Sequence, residues 1–391
     1  MTITGVIAEY NPFHNGHKYQ FEQIKKSGSD YIVVVLSGNF TQRGEPAIVN
    51  KYTRTRMALS EGADLVIELP TVYATSTSKF FALGGVSLLN NLGIIDNIAF
   101  GVEAGGSATV EKVASFLLNP PALYDSTLDS KMREGLTYPA ARQAALSLFF
   151  DKDELACIDK PNTILAIEYC HTIKKLDSKI TPFPIIRKGD DYNDNSVHTQ
   201  GFCSAMAIRN EIRNSCTKAI LHNNMPPASA SIMSDAHPIY SNDFSDMLHY
   251  KLLTSDNFDK YLDVYPAFGA RIKDRLSEYT DFDSFCNLLK TKNTTYTSVS
   301  RMLTHILLDI TATLPSSVPY ARILGFRKSS EAVLTQIKEN SSIPLISKLA
   351  DYPSNPILDI DIKASDIYNA AVLHKYGIRE KNDYSQGIVI Q

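Results

Sequence analysis

Glu9-Tyr10-Asn11-Pro12-Phe13-His14-Asn15-Gly16-His17 decides the fold. A short apolar run, Ile3 to Ala8, comes before it and carries β-branched Ile3, Val6 and Ile7. Lys18 to Lys26 follows without Pro or Gly and is expected to be helical. Two histidines, separated by Asn15 and Gly16, therefore stand where a strand hands over to a helix. The first turn of such a helix offers free backbone N–H groups and the positive end of the dipole, which suits an anion. Gly16 lets a ligand approach the backbone, and two imidazoles can donate to phosphoryl oxygens as charge develops.

Outward from that turn, strand and helix signals alternate. Tyr31–Ser37 is a continuous apolar run, expected of a parallel strand buried on both faces. It enters a polar loop punctuated by Gly38 and Gly44. Lys51–Ser60 is expected to be a helix, Leu65–Leu69 a strand stopped by Pro70, Lys79–Leu89 a helix and Asn97–Phe100 a strand. The pattern predicts an α/β fold with a Rossmann-like parallel sheet and right-handed crossovers. Ligands in such sheets gather at the carboxyl ends of the strands, where the loops after Ala8, Ser37, Leu69 and Phe100 all lie. Thr109–Leu118, Tyr138–Phe150 and Asn162–Lys174 read as helices, and Pro182 and Pro184 demote Ile180–Ile186 to an edge strand. From Ser241 onward the chain reads as almost wholly helical, which places a boundary near residue 235. The expected division is an α/β part, 1–235, which carries the histidine turn, and a C-terminal α-helical domain, 236–391.

The bulk numbers bound the function. The chain has 391 residues, 44% hydrophobic and 21% charged, within the range of soluble globular proteins. No apolar run is long enough to span a bilayer, and the N-terminus lacks a signal peptide's basic start and cleavage site, so a cytoplasmic protein with no membrane partner is expected. Five cysteines without CxxC spacing suggest neither a disulfide framework nor a zinc site. A net charge of −3 means that any nucleic acid must meet a local patch. Arg271 to Lys328 holds nine Lys and Arg against five Asp and Glu, with Tyr279, Tyr296 and Tyr320 interleaved. RNA phosphates and a stacked base would suit that surface; a solvated face of mixed charge fits the same residues.

His14-Asn15-Gly16-His17 resembles the HxGH signature of the nucleotidyltransferase superfamily. Ser204 through Arg209 resembles the superfamily's second motif, which grips the β- and γ-phosphates at a helix start. Met206 departs from that motif, which carries Thr there, and one hydroxyl contact is missing. The resemblance then narrows. Ala8–His17, Gly38–Pro46, Asp64–Pro70, Ala99-Phe100-Gly101, Pro161-Asn162, Arg187-Lys188, Tyr320–Phe326 and Asp361–Tyr368 are similar to bacterial tRNA(Met) cytidine acetate ligases.

What the resemblance implies is an enzyme that activates acetate with ATP as acetyl-adenylate. It then acetylates the N4 amine of the wobble cytidine of elongator tRNA(Met). The resemblance implies that the first part, 1–235, binds ATP and is catalytic and that the second, 236–391, binds tRNA. His14 and His17 would be catalytic. ATP would meet Ile7, Ala8, Glu9, Tyr10, Asn11, Pro12, Phe13, His14, Asn15, Gly16, His17, Lys18, Tyr19, Gln20, Gly101, Asn162, Arg187, Lys188, Ser204 and Arg209. Mg2+ would bridge the triphosphate with few protein ligands. Arg322, Arg327 and Lys328 would contact tRNA. Two other readings use the same motifs. One is an adenylyltransferase acting on a cofactor precursor; such enzymes are usually shorter and lack a long helical half. The other is a non-catalytic tRNA-binding protein, which Met206 favours and the intact histidine motif opposes.

Overall fold

The computed structural model describes residues 1–103, 106–187, 202–214, 218–311 and 315–391. Lys188, expected at the ATP site, lies outside them. Eight strands form one sheet: β1 (Ile3–Ala8), β2 (Tyr31–Ser37), β3 (Leu65–Leu69), β4 (Asn97–Val102), β5 (Thr181–Ile186), β6 (Ala321–Phe326), β7 (Leu345–Ile346) and β8 (Val389–Ile390). The order is β5-β4-β1-β2-β3-β6-β7, with β8 also pairing β6. Strands β1 to β5 are mutually parallel, as the alternating pattern predicts. The proline-bearing β5 sits at the edge, where a missing N–H interrupts no ladder on its open side.

Side chains of β2 show why its run is apolar throughout. Val33 and Val35 enter one core with Leu65, Ile67 and Ile98. Ile32, Val34 and Leu36 enter the other with Val6, Val66 and Ala99. Successive residues point to opposite faces, so a strand covered on both sides has no polar phase.

The chain after residue 235 departs from expectation. It contributes helices Ser245–Leu253, Pro266–Arg275, Phe282–Leu289, Tyr296–Leu308, Glu331–Asn340 and Pro356–Tyr376, but it also returns β6, β7 and β8 to the sheet. β6 runs antiparallel to β3. Phe244, Leu248, Phe268, Phe285 and Leu303 share one apolar cluster with Val33, Leu65 and Ile98. Residue 235 thus separates two stretches of chain that pack into a common core.

That packing corrects one of the three residues expected to contact tRNA, Arg322. Arg322, on β6, is 4% exposed. Its Nη1 lies 3.0 Å from Glu68 Oε2 and 2.8 Å from Asp383 Oδ2. Lys51 Nζ completes the set, 2.7 Å from Glu68 Oε1 and 2.8 Å from Asp383 Oδ2. Two cations and two carboxylates balance inside the protein; removing one partner would strand a buried charge. Arg322 ties the C-terminal segment to the sheet and does not face solvent. Arg327 and Lys328 follow the end of β6, where Phe326 pairs with Leu65 at the start of β3. The Arg327 backbone N–H donates to Asp64 O at 3.0 Å. These two residues therefore lie at the amino-terminal edge of the parallel strands, opposite the edge that carries His14 and His17.

Candidate active site

A buried arginine sets the ends of β1 and β2. Arg54 Nη1 donates to Glu9 O at 2.7 Å and to Ser37 O at 2.9 Å. Its Nη2 donates to Gly38 O, and its Nε to Val49 O at 3.0 Å. One guanidinium thus satisfies carbonyls that the strand ends leave without ladder partners. Burial draws Arg54 down to about 10, still charged at neutral pH. Asn11 Oδ1 accepts from Ile48 N–H at 2.7 Å, joining the turn to the segment before helix Lys51–Glu61.

His14 is the N-cap of helix Asn15–Lys26. Its Nδ1 accepts from Gly16 N–H at 3.0 Å, and His17 Nδ1 accepts from His14 N–H at 3.2 Å. This is a reciprocal capping box made by two imidazoles. The rings stack with centroids 3.7 Å apart. Gly16 is required here, because a Cβ would come within 2.9 Å of His14 Cε1. Each Nδ1 is an acceptor, so in the neutral ring each Nε2 carries the proton. Both rings are held neutral. Burial, followed by the fields of Arg187 and Arg209, lowers His14 to about 3. Burial also holds His17 well below the ordinary histidine range, with His14 and Arg187 adding to the shift. Two neutral Nε2–H donors thus stand side by side at a helix N-terminus.

His14 and His17 line a cleft at the carboxyl edge of the sheet, together with Ile7, Ala8, Glu9, Tyr10, Asn11, Gly16, Tyr19 and Gln20. Gly101, Asn162, Arg187, Ser204 and Arg209 line the same cleft. Asn162 Oδ1 accepts from Arg187 Nη1 at 3.0 Å, and Asn162 Nδ2 donates to Glu103 Oε1 at 2.9 Å. Ser204 Oγ accepts from Ala207 N–H at 3.1 Å, the expected cap of helix Ala205–Asn214. From that helix Arg209 Nη1 reaches Asn11 O at 2.8 Å. Residues distant in sequence thus place arginines around the histidine pair, an environment suited to a polyanion.

Other side chains of the turn are held elsewhere. Phe13 is buried against Tyr10 and Phe21. Asn15 Nδ2 donates to Asn223 O at 3.0 Å. Lys18 Nζ donates to Glu61 O at 2.9 Å and lies 3.3 Å from Glu61 Oε2. These three, and Pro12, do not line the cleft. The cleft adds residues that were not expected as site residues: Thr41, Gln42 and Arg43 from the loop after β2, and Phe81, Phe100, Leu165 and Tyr169 from its apolar wall. The signal for the loop was its place after a parallel strand, on the edge where ligands gather.

The HIGH Nucleotidyl Transferase family model matches residues 1–383. A tRNA(Met) cytidine acetate ligase of Clostridium perfringens is 39% identical over 383 residues, 94% of this chain and 95% of its own length. A tRNA(Met) cytidine acetate ligase of Clostridium acetobutylicum is 38% identical and spans 100% of both chains. In three dimensions the chain is similar to the crystal structure of apo Thermotoga maritima TmcAL. The TM-score is 0.92 at 28% identity, covering 100% of this chain and 99% of the other. Thermotoga maritima TmcAL bound with alpha-thio ATP gives a TM-score of 0.91 at 27% identity, with the same coverage.

Proposed function

The chain belongs to the HIGH nucleotidyl transferase family and, within it, to the tRNA(Met) cytidine acetate ligases; on that premise we propose that it activates acetate with ATP and passes the acetyl group to the N4 amine of the wobble cytidine of elongator tRNA(Met). It is an ATP-binding ligase of tRNA modification. The observation that carries the finer reading is the stacked histidine pair, with both Nδ1 atoms engaged by backbone and both Nε2–H groups left as donors.

In the first step an acetate oxygen attacks the α-phosphorus. The bond from that phosphorus to the oxygen bridging to the β-phosphate breaks, and pyrophosphate leaves. Negative charge grows on the equatorial oxygens, where His14 and His17 donate without reorganising. Arg187, Arg209 and the helix start at Ser204 hold the phosphates. In the second step the cytidine amine attacks the acetyl carbonyl. The carbonyl carbon–oxygen bond to AMP breaks, the amine loses one proton, and AMP leaves. The mixed anhydride is already activated, so positioning does most of that work.

Among the described residues no group of three or more His, Cys, Asp or Glu is placed to hold a metal ion. Mg2+ belongs to this reading as the companion of the triphosphate, neutralising its charge when ATP binds. No helix among the described residues is long and apolar enough to cross a membrane; the proposed tRNA substrate is what supports a cytoplasmic location. The test is to supply labelled acetate, ATP, Mg2+ and unmodified elongator tRNA(Met). Label is expected in the tRNA at one cytidine, without coenzyme A. Transfer that needs acetyl-coenzyme A and not ATP overturns the reading.

A further inference from the structure

Gln42 follows β2, one strand over from the histidine turn. Gln42 lines the cleft, and its side-chain Nε2 is buried with no hydrogen-bond partner among the described residues. A buried donor left unpaired is costly, so such a group in a ligand cleft calls for a partner from the ligand. The loop that carries it is fixed. Gln42 N–H donates to Glu9 Oε1 at 2.8 Å, and Thr41 N–H to Glu45 O at 2.9 Å. Gly44 O accepts from Ser300 Oγ and from Thr304 Oγ1, each at 2.7 Å. Gly44 has φ +71, and a Cβ there would overlap the backbone of Arg301. The amide is therefore presented on a preorganised support.

The sheet order separates the groups around the cleft. Gly101 on β4 and Arg187 after β5 stand on one side of the histidine turn, and Gln42 and Arg43 after β2 stand on the other. The cleft also has an apolar wall of Phe81, Phe100, Leu165 and Tyr169. A neutral N–H donor beside a cation, in a cleft with an apolar wall, suits a small carboxylate with a short alkyl group. We propose that the Gln42 amide holds the carboxylate of the acid substrate beside the α-phosphate, a proposal that rests on the acid-activating function given above.

The experiment is acetate-dependent exchange of pyrophosphate into ATP without tRNA, for the parent, Gln42→Ala, Gln42→Asn and the isosteric Gln42→Glu. Gln42→Ala is expected to raise the acetate KM about 10- to 100-fold, the loss of one hydrogen bond to a charged group, with the ATP KM unchanged. Gln42→Glu raises it further by repulsion, and Gln42→Asn, which keeps the amide but withdraws it, raises it less. The unchanged ATP KM shows that the site is still folded. An unchanged acetate KM overturns the role of Gln42. So does a rise confined to the tRNA KM when labelled acetate is transferred to tRNA in a second assay, which would assign the amide to the cytosine. Absence of acetate-dependent exchange by the parent overturns instead the acid-activating function.

Discussion

The turn at His14 and the loop at Gln42 face one cleft but are built in opposite ways. The turn is self-contained: its two side chains cap backbone N–H groups within three residues of themselves. The loop takes its shape from far along the chain, through two hydroxyls of helix Tyr296–Leu308 on one carbonyl of Gly44. A local device is visible in a short motif and survives distant change. A remotely held one is visible only in the folded protein and inherits the fate of its support.

The largest expected effect breaks the turn. His14→Ala or His17→Ala removes one preorganised donor and is expected to lower kcat of the exchange reaction by roughly 10²–10³. Ala at position 14 also removes the N-cap, costing about 1 kcal/mol of stability. His14→Asn separates the two roles. Asn caps well but offers no Nε2–H, so denaturant melts should return toward the parent while turnover stays low. Turnover that recovers together with stability would make His14 structural only.

A pH series sharpens the same point. His14 is lowered to about 3 in the folded chain, against an ordinary value near 6.5. Below about 6.5 the unfolded chain binds the proton and the folded chain does not. The stabilising contribution is therefore full above that pH and is lost as pH falls toward about 3. Urea midpoints followed downward from neutral pH should fall less steeply for His14→Asn than for the parent. An equal slope would mean that His14 charges freely in the folded state.

A smaller effect is expected from loosening the loop at its support. Ser300→Ala with Thr304→Val leaves Gly44 O without either hydroxyl, a loss of about 1–3 kcal/mol. The acetate KM should rise, by less than for Gln42→Ala, and the ATP KM should hold. An equal rise in both would show that the helix supports the whole cleft. The smallest effect is expected from Arg327→Glu with Lys328→Glu, at the opposite edge of the sheet. Exchange and tRNA affinity should both stay near the parent, with stability within about 0.5 kcal/mol. Loss of tRNA binding in that variant would extend the RNA footprint across the sheet.

The same contrast explains what could be read before folding. The parallel strands β1 to β4 were legible because each is a continuous apolar run followed by a helical stretch. The histidine turn was legible because its chemistry fits inside four residues. Asn162, Arg187, Ser204 and Arg209 were legible by likeness to a family, and the fold gathers them around the turn. Arg322 was misjudged because counting charges along a segment ignores partners elsewhere, here Glu68 and Asp383. β6 was missed because a short strand that carries an arginine gains its identity from pairing with β3, about 250 residues earlier. Gln42 stood inside a block similar to the family, Gly38–Pro46, but with no role attached, since an unpaired amide exists only once its surroundings are packed.

Exchange of labelled pyrophosphate into ATP, without tRNA, tests the central claim most directly. Exchange by the parent should require acetate, saturate with it, and fall by roughly 10²–10³ in His17→Ala with the ATP KM nearly unchanged. Exchange that proceeds without acetate, or that survives in His17→Ala, would contradict the claim that the histidine turn stabilises the transition state of acid adenylation.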